Sequence, residues 1–192
     1  LLVATATTLS ACTVLGGGEA ELDTYDFTAP SNLSSLRGST SAQILVRIPS
    51  ALKVLDSDRL VVRTSGTAVT YMPDVRIGDQ LPKVLQAKFA ETLENTTRVR
   101  AVGKPGEGLL IDYQLVSDLR AFEVRSTGTG FVAYAELSAK LVDDRNGKVR
   151  SAKVFKASRP VGSSKSPAMV TALDSVFDEV ATDMARWILK TL

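Results

Sequence analysis

The stretch "LLIDYQLVSDLRAFEVR", residues 109–125, decides the fold of this chain. Its apolar side chains alternate along one face of a strand as far as Leu119. Phe122 and Val124 then fall on the opposite phase. One extra residue near Arg120 would return them to the first face, because side chains in a strand repeat every two residues. The stretch therefore predicts a long strand that carries a β-bulge.

Two further strands follow this one. The segment "FVAYAELSAKLVD", residues 131–143, alternates strictly between apolar and other side chains. Asn146 and Gly147 form the two-residue turn signal that joins it to "KVRSAKVFKAS", residues 148–158. We expect the three long strands to lie side by side and antiparallel.

The chain before residue 109 predicts shorter strands. Alternation from Ile44 to Ile48 indicates a strand that Pro49 ends. A turn at Gly66 joins two more strands, and residues 98–102 form another. The Ser- and Gly-rich segment 31–41 indicates a surface loop.

Two segments have helical periodicity instead. The first, "GDQLPKVLQAKFAETLENT", predicts a helix of about four turns, capped by Asp79 and with Pro82 in its first turn. The second runs from Ser166, an expected N-cap, to the last residue. Its apolar stripe consists of Val170, Leu173, Phe177, Val180, Met184, Trp187 and Ile188.

A stripe of this length needs a sheet face to cover it. We therefore predict an α+β (mixed α/β) fold with a single domain. The expected sheet is mixed but largely antiparallel, has six or seven strands, and carries both helices packed on it.

The amino terminus resembles the end of a secretory signal. Residues 1–11 are apolar or small, and no charge occurs before Glu19. Leu9-Ser10-Ala11-Cys12 matches the lipobox of bacterial lipoproteins, in which the peptide is cut before a cysteine that receives a diacylglycerol. We expect residues 1–11 to be a signal peptide remnant, 12–24 a lipidated cysteine with a flexible tether, and 25–192 the folded domain. A stray buried cysteine is the alternative interpretation of Cys12.

The amino-acid composition limits the kinds of catalytic and metal-binding site that the chain can form. The 192 residues contain no histidine and one cysteine, and their formal net charge is +2. Histidine-based triads and the usual zinc sites are therefore excluded, and nucleic acid is not an expected partner. No apolar run reaches the roughly 18–20 residues that span a bilayer.

Few residues outside the apolar pattern suggest a reactive site. Asp56-Ser57-Asp58 and Asp143-Asp144 are close carboxylate pairs, but both lie where turns are expected. Asp112 and Asp118 lie too far apart on one strand for paired acid–base work. Chance explains the Ser-Lys combinations at 163–165 and 138–140, and Trp187 fits the core better than a partner surface. We therefore expect no catalytic, metal or cofactor-binding residues.

Three stretches together carry a resemblance. They are "ILVRIPSALKVLDSDRLVVR" (44–63), "LLIDYQLVSDLRAFEV" (109–124) and "ALDSVFDEVATDMARWI" (172–188). In order and spacing they are similar to the ABC-type transport auxiliary lipoprotein family. The matching positions are Pro49, Asp58-Arg59, Asp79 to Pro82, Asp112-Tyr113-Leu115, Phe122-Glu123 and Trp187. One position departs from the pattern: members often carry a tryptophan before the aspartate that corresponds to Asp79, where Ile77 or Gly78 stands here.

The resemblance implies a lipoprotein that faces the periplasm and is anchored in the outer membrane through Cys12. Its implied partners are an ABC permease and ATPase and a mammalian-cell-entry (MCE) domain protein, in a system that moves phospholipid or other apolar molecules between membranes. A homo-oligomer would suit such partners. The chain itself would dock or seal, and it would need no cofactor.

Two other functions are considered. Small residues at Ala133, Ala135 and Ala139 could leave a groove for an acyl chain, which would make the protein a lipid-binding carrier. They could equally accept a closely packed helix. An envelope hydrolase is the third hypothesis, and the absence of histidine weighs against it.

Overall fold

The computed structural model describes residues 22–192, so the predicted signal remnant and Cys12 lie outside the described residues. Ten strands and two helices occur in this part of the chain. The elements are β1 (Asp23–Tyr25), β2 (Thr40–Val46), β3 (Ser50–Ala51), β4 (Val61–Ser65), β5 (Ala68–Tyr71), β6 (Val75–Ile77), α1 (Leu81–Asn95), β7 (Val99–Gly103), β8 (Tyr113–Ser126), β9 (Phe131–Asp143), β10 (Val149–Val161) and α2 (Ser166–Thr191).

Strand β8 organises the sheet. Along one edge it pairs antiparallel with β9, and β9 in turn pairs antiparallel with β10. Along its other edge it pairs with β2, β3 and β4 at successive positions, and all three are parallel to it. The register with β9 shifts between Leu119 and Ala121, which confirms the predicted bulge at Arg120. Phe122 and Val124 are buried as a result.

The α+β fold with a single domain is confirmed, but the sheet differs from the expectation in size and direction. It has eight strands: five follow the order β10-β9-β8-β2-β7, β3 and β4 also pair with β8, and β5 pairs with β4. Strands β1 and β6 form a separate parallel pair. Parallel pairing is extensive, so the sheet is mixed rather than largely antiparallel. Strands β3 and β6 have two and three residues, too few to show an alternating pattern.

Helix α1 begins without a side-chain cap, so the expected role of Asp79 was wrong. Its carboxylate accepts the N–H of Gln80 at 2.7 Å instead. The carbonyl of Ser57 accepts the N–H of Leu81, and Pro82 has no N–H to satisfy. The loop between β3 and β4 thus supplies the hydrogen-bond acceptor that a side-chain N-cap would otherwise provide.

Helix α2 begins one residue earlier than expected. Lys165 occupies the N-cap position, and Ser166 is the first helical residue. The Ser166 hydroxyl lies 3.4 Å from the carbonyl oxygen of Pro73 and donates to it, which ties the helix to the β5–β6 turn.

Two other expectations need correction. Ile48 is 50% exposed because β2 ends at Val46 and the chain then leaves the sheet. The segment 31–41 is not wholly a surface loop, since Leu33 and Leu36 are buried and its last two residues belong to β2.

Residues 26–39, here called the strap, connect β1 to β2 across the helices. Phe27 packs against Phe122 and Phe177, with ring centroids 5.1 and 6.3 Å away. The N–H of Thr28 donates to the Asp174 carboxylate at 2.7 Å. The strap therefore closes the core where α2 faces the sheet.

The strap ends at a position that requires glycine. Gly38 has φ +91°, and a Cβ added there would lie 2.7 Å from the carbonyl oxygen of Leu189. Gly38→Ala should cost about 2–3 kcal/mol of unfolding free energy, because left-handed backbone and close contact act together. Urea denaturation measures this. Gly78→Ala, where no atom lies within 4 Å of the added Cβ, is the control and should change little.

Candidate functional site

The space between the helices and the sheet is filled. A gap of about 10 Å³ lies between them, lined by Leu85, Phe89, Leu119, Phe122, Ala135, Leu137, Phe177 and Val180. A gap of this size barely holds one water molecule, and an acyl chain would need the helices to separate. The predicted small residues of β9, Ala133, Ala135 and Ala139, are buried, and α2 packs on this strand.

The carboxylate pairs considered from the sequence lie in turns. Asp56 and Asp58 belong to the turn between β3 and β4. Asp143 accepts the N–H of Arg145 at 2.9 Å in the β9–β10 turn. Within residues 22–192, no group of three or more His, Cys, Asp or Glu side chains is arranged to hold a metal ion.

Asp112 joins three parts of the chain. Its carboxylate accepts the N–H of Gln43 at 3.0 Å and a guanidinium N–H of Arg145 at 3.1 Å. The hydrogen bond from Gln43 is the main reason that the pKa of Asp112 lies below its ordinary value, and Arg145 adds to it. This carboxylate therefore has a structural role between β2 and the β9–β10 turn.

Glu123 is a charged residue buried on the outward face of β8, with 2% of its surface exposed. Arg63 of β4 binds both carboxylate oxygens, with N–O distances of 2.9 and 2.8 Å. The Nε of Arg125 donates to the same carboxylate at 2.7 Å. Burial would raise the pKa of Glu123, but these hydrogen bonds outweigh it and hold the pKa below its ordinary value.

Ion pairs continue from this carboxylate across the outward face of the sheet. The Arg125 guanidinium lies 3.6 Å from the ring centroid of Tyr134, whose hydroxyl donates to Glu136 at 2.7 Å. Glu136 also contacts Arg120 and Lys156 at 3.4 and 3.2 Å. The network links β4 to β10 and is mostly exposed at its far end, where each pair contributes little stability.

A polar groove of about 620 Å³ lies at the start of α1. The two motif segments around Asp58 and Asp79 meet there, together with Lys53, Tyr71 and Arg76. Thr24 of β1 also lines the groove. It is open to solvent and carries both signs of charge.

Trp187 contacts the core and also reaches the surface, the two positions that the sequence analysis considered for it. It packs against the core, with its ring 5.6 Å from Phe155, yet it is only partly buried. Its Nε1 donates to the Ser151 hydroxyl at 3.2 Å. It also lines an open groove between α2 and β10.

This arrangement defines a class of protein: an α+β domain with a tightly packed core and open grooves on its surface. No helix within residues 22–192 is long and apolar enough to cross a bilayer. The chain belongs to the family described as "ABC-type transport auxiliary lipoprotein component", whose model matches residues 25–185. This family is a transport component and not an enzyme class.

Comparisons with individual proteins agree with this assignment. An uncharacterised protein of Bradyrhizobium diazoefficiens is 30% identical over 172 residues, which are 90% of this chain and 46% of that protein. The chain thus spans about half the length of this curated relative. A crystal structure from Xanthomonas campestris, assigned to the DUF330 family model, is 26% identical with a TM-score of 0.83 and covers 88% of this chain and 95% of its own.

A hypothetical protein of Chlamydia trachomatis shares the fold alone. Its TM-score is 0.54 at 7% identity, and the match covers 79% of this chain and 99% of that one.

Sequence reasoning found Glu123 through the resemblance but missed its partners. Arg63 lies 60 residues away in the chain and Tyr134 on the next strand, so only the strand pairing brings them together. An acidic residue between Phe122 and Val124, followed two positions later by Arg125, is the signal that sequence alone offers.

The buried carboxylate should make stability depend on pH. Because its folded pKa is lowered, Glu123 stabilises the fold above the unfolded pKa of about 4.3 and loses this effect as pH falls through the folded value. Glu123→Gln should be about 1–2 kcal/mol less stable at pH 7, and the difference should shrink toward pH 3. Urea unfolding at each pH measures it. Exposed Glu94→Gln is the control, and an equal difference at all pH values would contradict the prediction.

Proposed function

We propose that the protein is a membrane-anchored, periplasm-facing auxiliary lipoprotein of an ABC/MCE-type system that moves (phospho)lipid between membranes. In this role it is a docking or structural component at the outer membrane. The observation that carries the proposal is the family match over residues 25–185, joined to an interior with no room for cargo.

Anchoring through Cys12 is part of the proposal. The lipobox Leu9-Ser10-Ala11-Cys12 supplies the acylation signal, and several acyl chains on one residue hold a protein on a bilayer where one chain does not. Residues 13–22 then serve as a tether. Strand β1, Asp23–Tyr25, overlaps the end of the segment 12–24 that the sequence assigns to the tether.

The proposed partners are an MCE-domain protein and the permease and ATPase that drive transport. The chain supplies no chemistry of its own in this scheme and needs no cofactor. A homo-oligomer remains part of the expectation, since ring-shaped partners would suit one.

The anchor is tested by Cys12→Ala. Without the thiol no diacylglycerol can be attached, so the variant should lose the added acyl mass and move from the membrane to the aqueous fraction on detergent phase separation. Transport should fall with it. Ser10→Ala, which keeps a small residue in the lipobox, is the control. A Cys12→Ala protein that stays in the outer membrane and supports normal transport would overturn the proposal.

The carrier hypothesis predicts a different result. A carrier should retain lipid in stoichiometric amount, whereas a docking component with a gap of about 10 Å³ should retain none beyond its covalent acyl groups. Solvent extraction of the purified protein followed by mass spectrometry measures this, with the same extraction of Cys12→Ala to separate covalent from bound lipid. One lipid per chain in that variant would favour the carrier.

A further inference from the structure

Strand β10 is a long sheet edge that nothing covers within residues 22–192. It has 13 residues, pairs with β9 on one side only, and exposes nine of its side chains. The opposite edge strand, β7, has five residues. An open edge presents a row of unpaired backbone N–H and C=O groups that can pair with another strand.

The charges along this edge have one sign. Its four ionisable side chains are all basic, and none is acidic: Arg150, Lys153, Lys156 and Arg159. Lys156 pairs with Glu136 and Arg159 with Glu179. Within residues 22–192, no ion pair forms at Arg150 or Lys153, so the first half of the strand keeps its positive charge.

A groove of about 490 Å³ runs beside this half of the strand. Its walls are the first residues of β10 and the last turns of α2, and Trp187 lines it. Lys153 and Lys190 add two positive charges, while Asp183 is paired with Arg186. The groove thus combines an aromatic surface with positive charge.

The edge of β10 and the groove beside it together fit an extended peptide that pairs with β10 as an additional strand. A strand added to β10 would turn alternate side chains toward α2, where they reach Trp187, Lys153 and Lys190. Its other side chains would lie on the outward face beside Val154, which is 40% exposed. Main-chain hydrogen bonds would give affinity, and alternating acidic and apolar side chains would give specificity.

We propose that the β10 edge and its groove are the docking site for an acidic, extended segment of a partner protein, which adds to the sheet as a strand. The inference rests on the proposed docking role and names the surface and the chemistry of the partner.

Charge argues against a second copy of this chain as the occupant. Two β10 strands paired with each other bring eight basic side chains together and no acidic one. In an antiparallel register centred on Lys153, that residue faces its own copy and Arg150 faces Lys156. Like charges directly opposite each other destabilise a strand pair.

The chain carries its own reporter for this site, since Trp187 is its one tryptophan. The probe is an acetylated ten-residue peptide of alternating glutamate and valine, added to the full acylated chain in mild detergent. Its Lys-Val counterpart is the control peptide. We expect the acidic peptide to shift the Trp187 emission saturably, to slow hydrogen exchange of β10 amides and to leave β7 amides unchanged.

Charge variants test whether Lys153 and Lys190 bind the acidic peptide. Lys153→Glu combined with Lys190→Glu should weaken peptide binding at least ~10-fold, because two attractive contacts become repulsive. Lys83→Glu combined with Lys104→Glu changes net charge equally at positions outside β10 and the groove, and should stay within ~2-fold. The neutral pair Lys153→Gln and Lys190→Gln should give an intermediate affinity, and urea unfolding checks that each variant is folded.

Several results would overturn the inference. They are no binding of the acidic peptide, equal binding of both peptides, or protection outside β10. A dimer in sedimentation whose exchange protection falls on β10 would make a second copy the occupant. A Trp187 shift with vesicles of anionic phospholipid, lost in the Lys153→Glu and Lys190→Glu variant, would make it a lipid surface. The charge variant should remain membrane-bound, so failure here is distinct from failure of the anchor.

Discussion

The ladder between β8 and β9 is the constraint on which the rest of the structure depends. It runs the full length of β8, so it fixes which side chains face the helices. The bulge at Arg120 lies between the part of β8 that pairs with β3 and the part that pairs with β4. Without it, Phe122 would turn to solvent and Glu123 into the apolar core. The bulge therefore decides both the core and the charge network on the outer face.

Packing against β9 determines where function can lie. Because the inward residues of β9 include Ala133, Ala135 and Ala139, α2 lies close to the sheet and the aromatic rings of the strap and α1 fill what remains. An interior packed in this way leaves the outward sheet face, the edges and the grooves as the surfaces for other molecules. The small side chains that suggested a lipid groove in the sequence thus let α2 approach β9 closely, and the gap lined by Ala135 between the helices and the sheet is only about 10 Å³.

The elements predictable from sequence are those long enough to show a period. Strand β9, with 13 residues, and both helices were predictable in this way, and even the bulge was visible as a change of phase at Phe122. Strand β3 has two residues and no period to detect, and the parallel pairing of β2 and β4 with β8 depends on contacts between distant segments. The same limit applies to the buried charge network. Glu123 could be identified from the sequence, but its partner Arg63 could be identified only once the pairing of β4 with β8 was known.

The way in which β10 is protected has a consequence for recognition. Proteins blunt an open edge with a proline, a bulge or a charge. A proline or a bulge would interrupt pairing with any strand. On β10 the register with β9 shifts between Val149 and Ser151, at the start of the strand, and Pro160 lies near its end, so neither interrupts the middle of the strand around Lys153. Charge works differently, because it repels a strand of the same sign and attracts one of opposite sign. An edge whose ionisable side chains are all basic would therefore repel a copy of itself and attract an acidic segment, which is the selectivity that the proposed docking site requires.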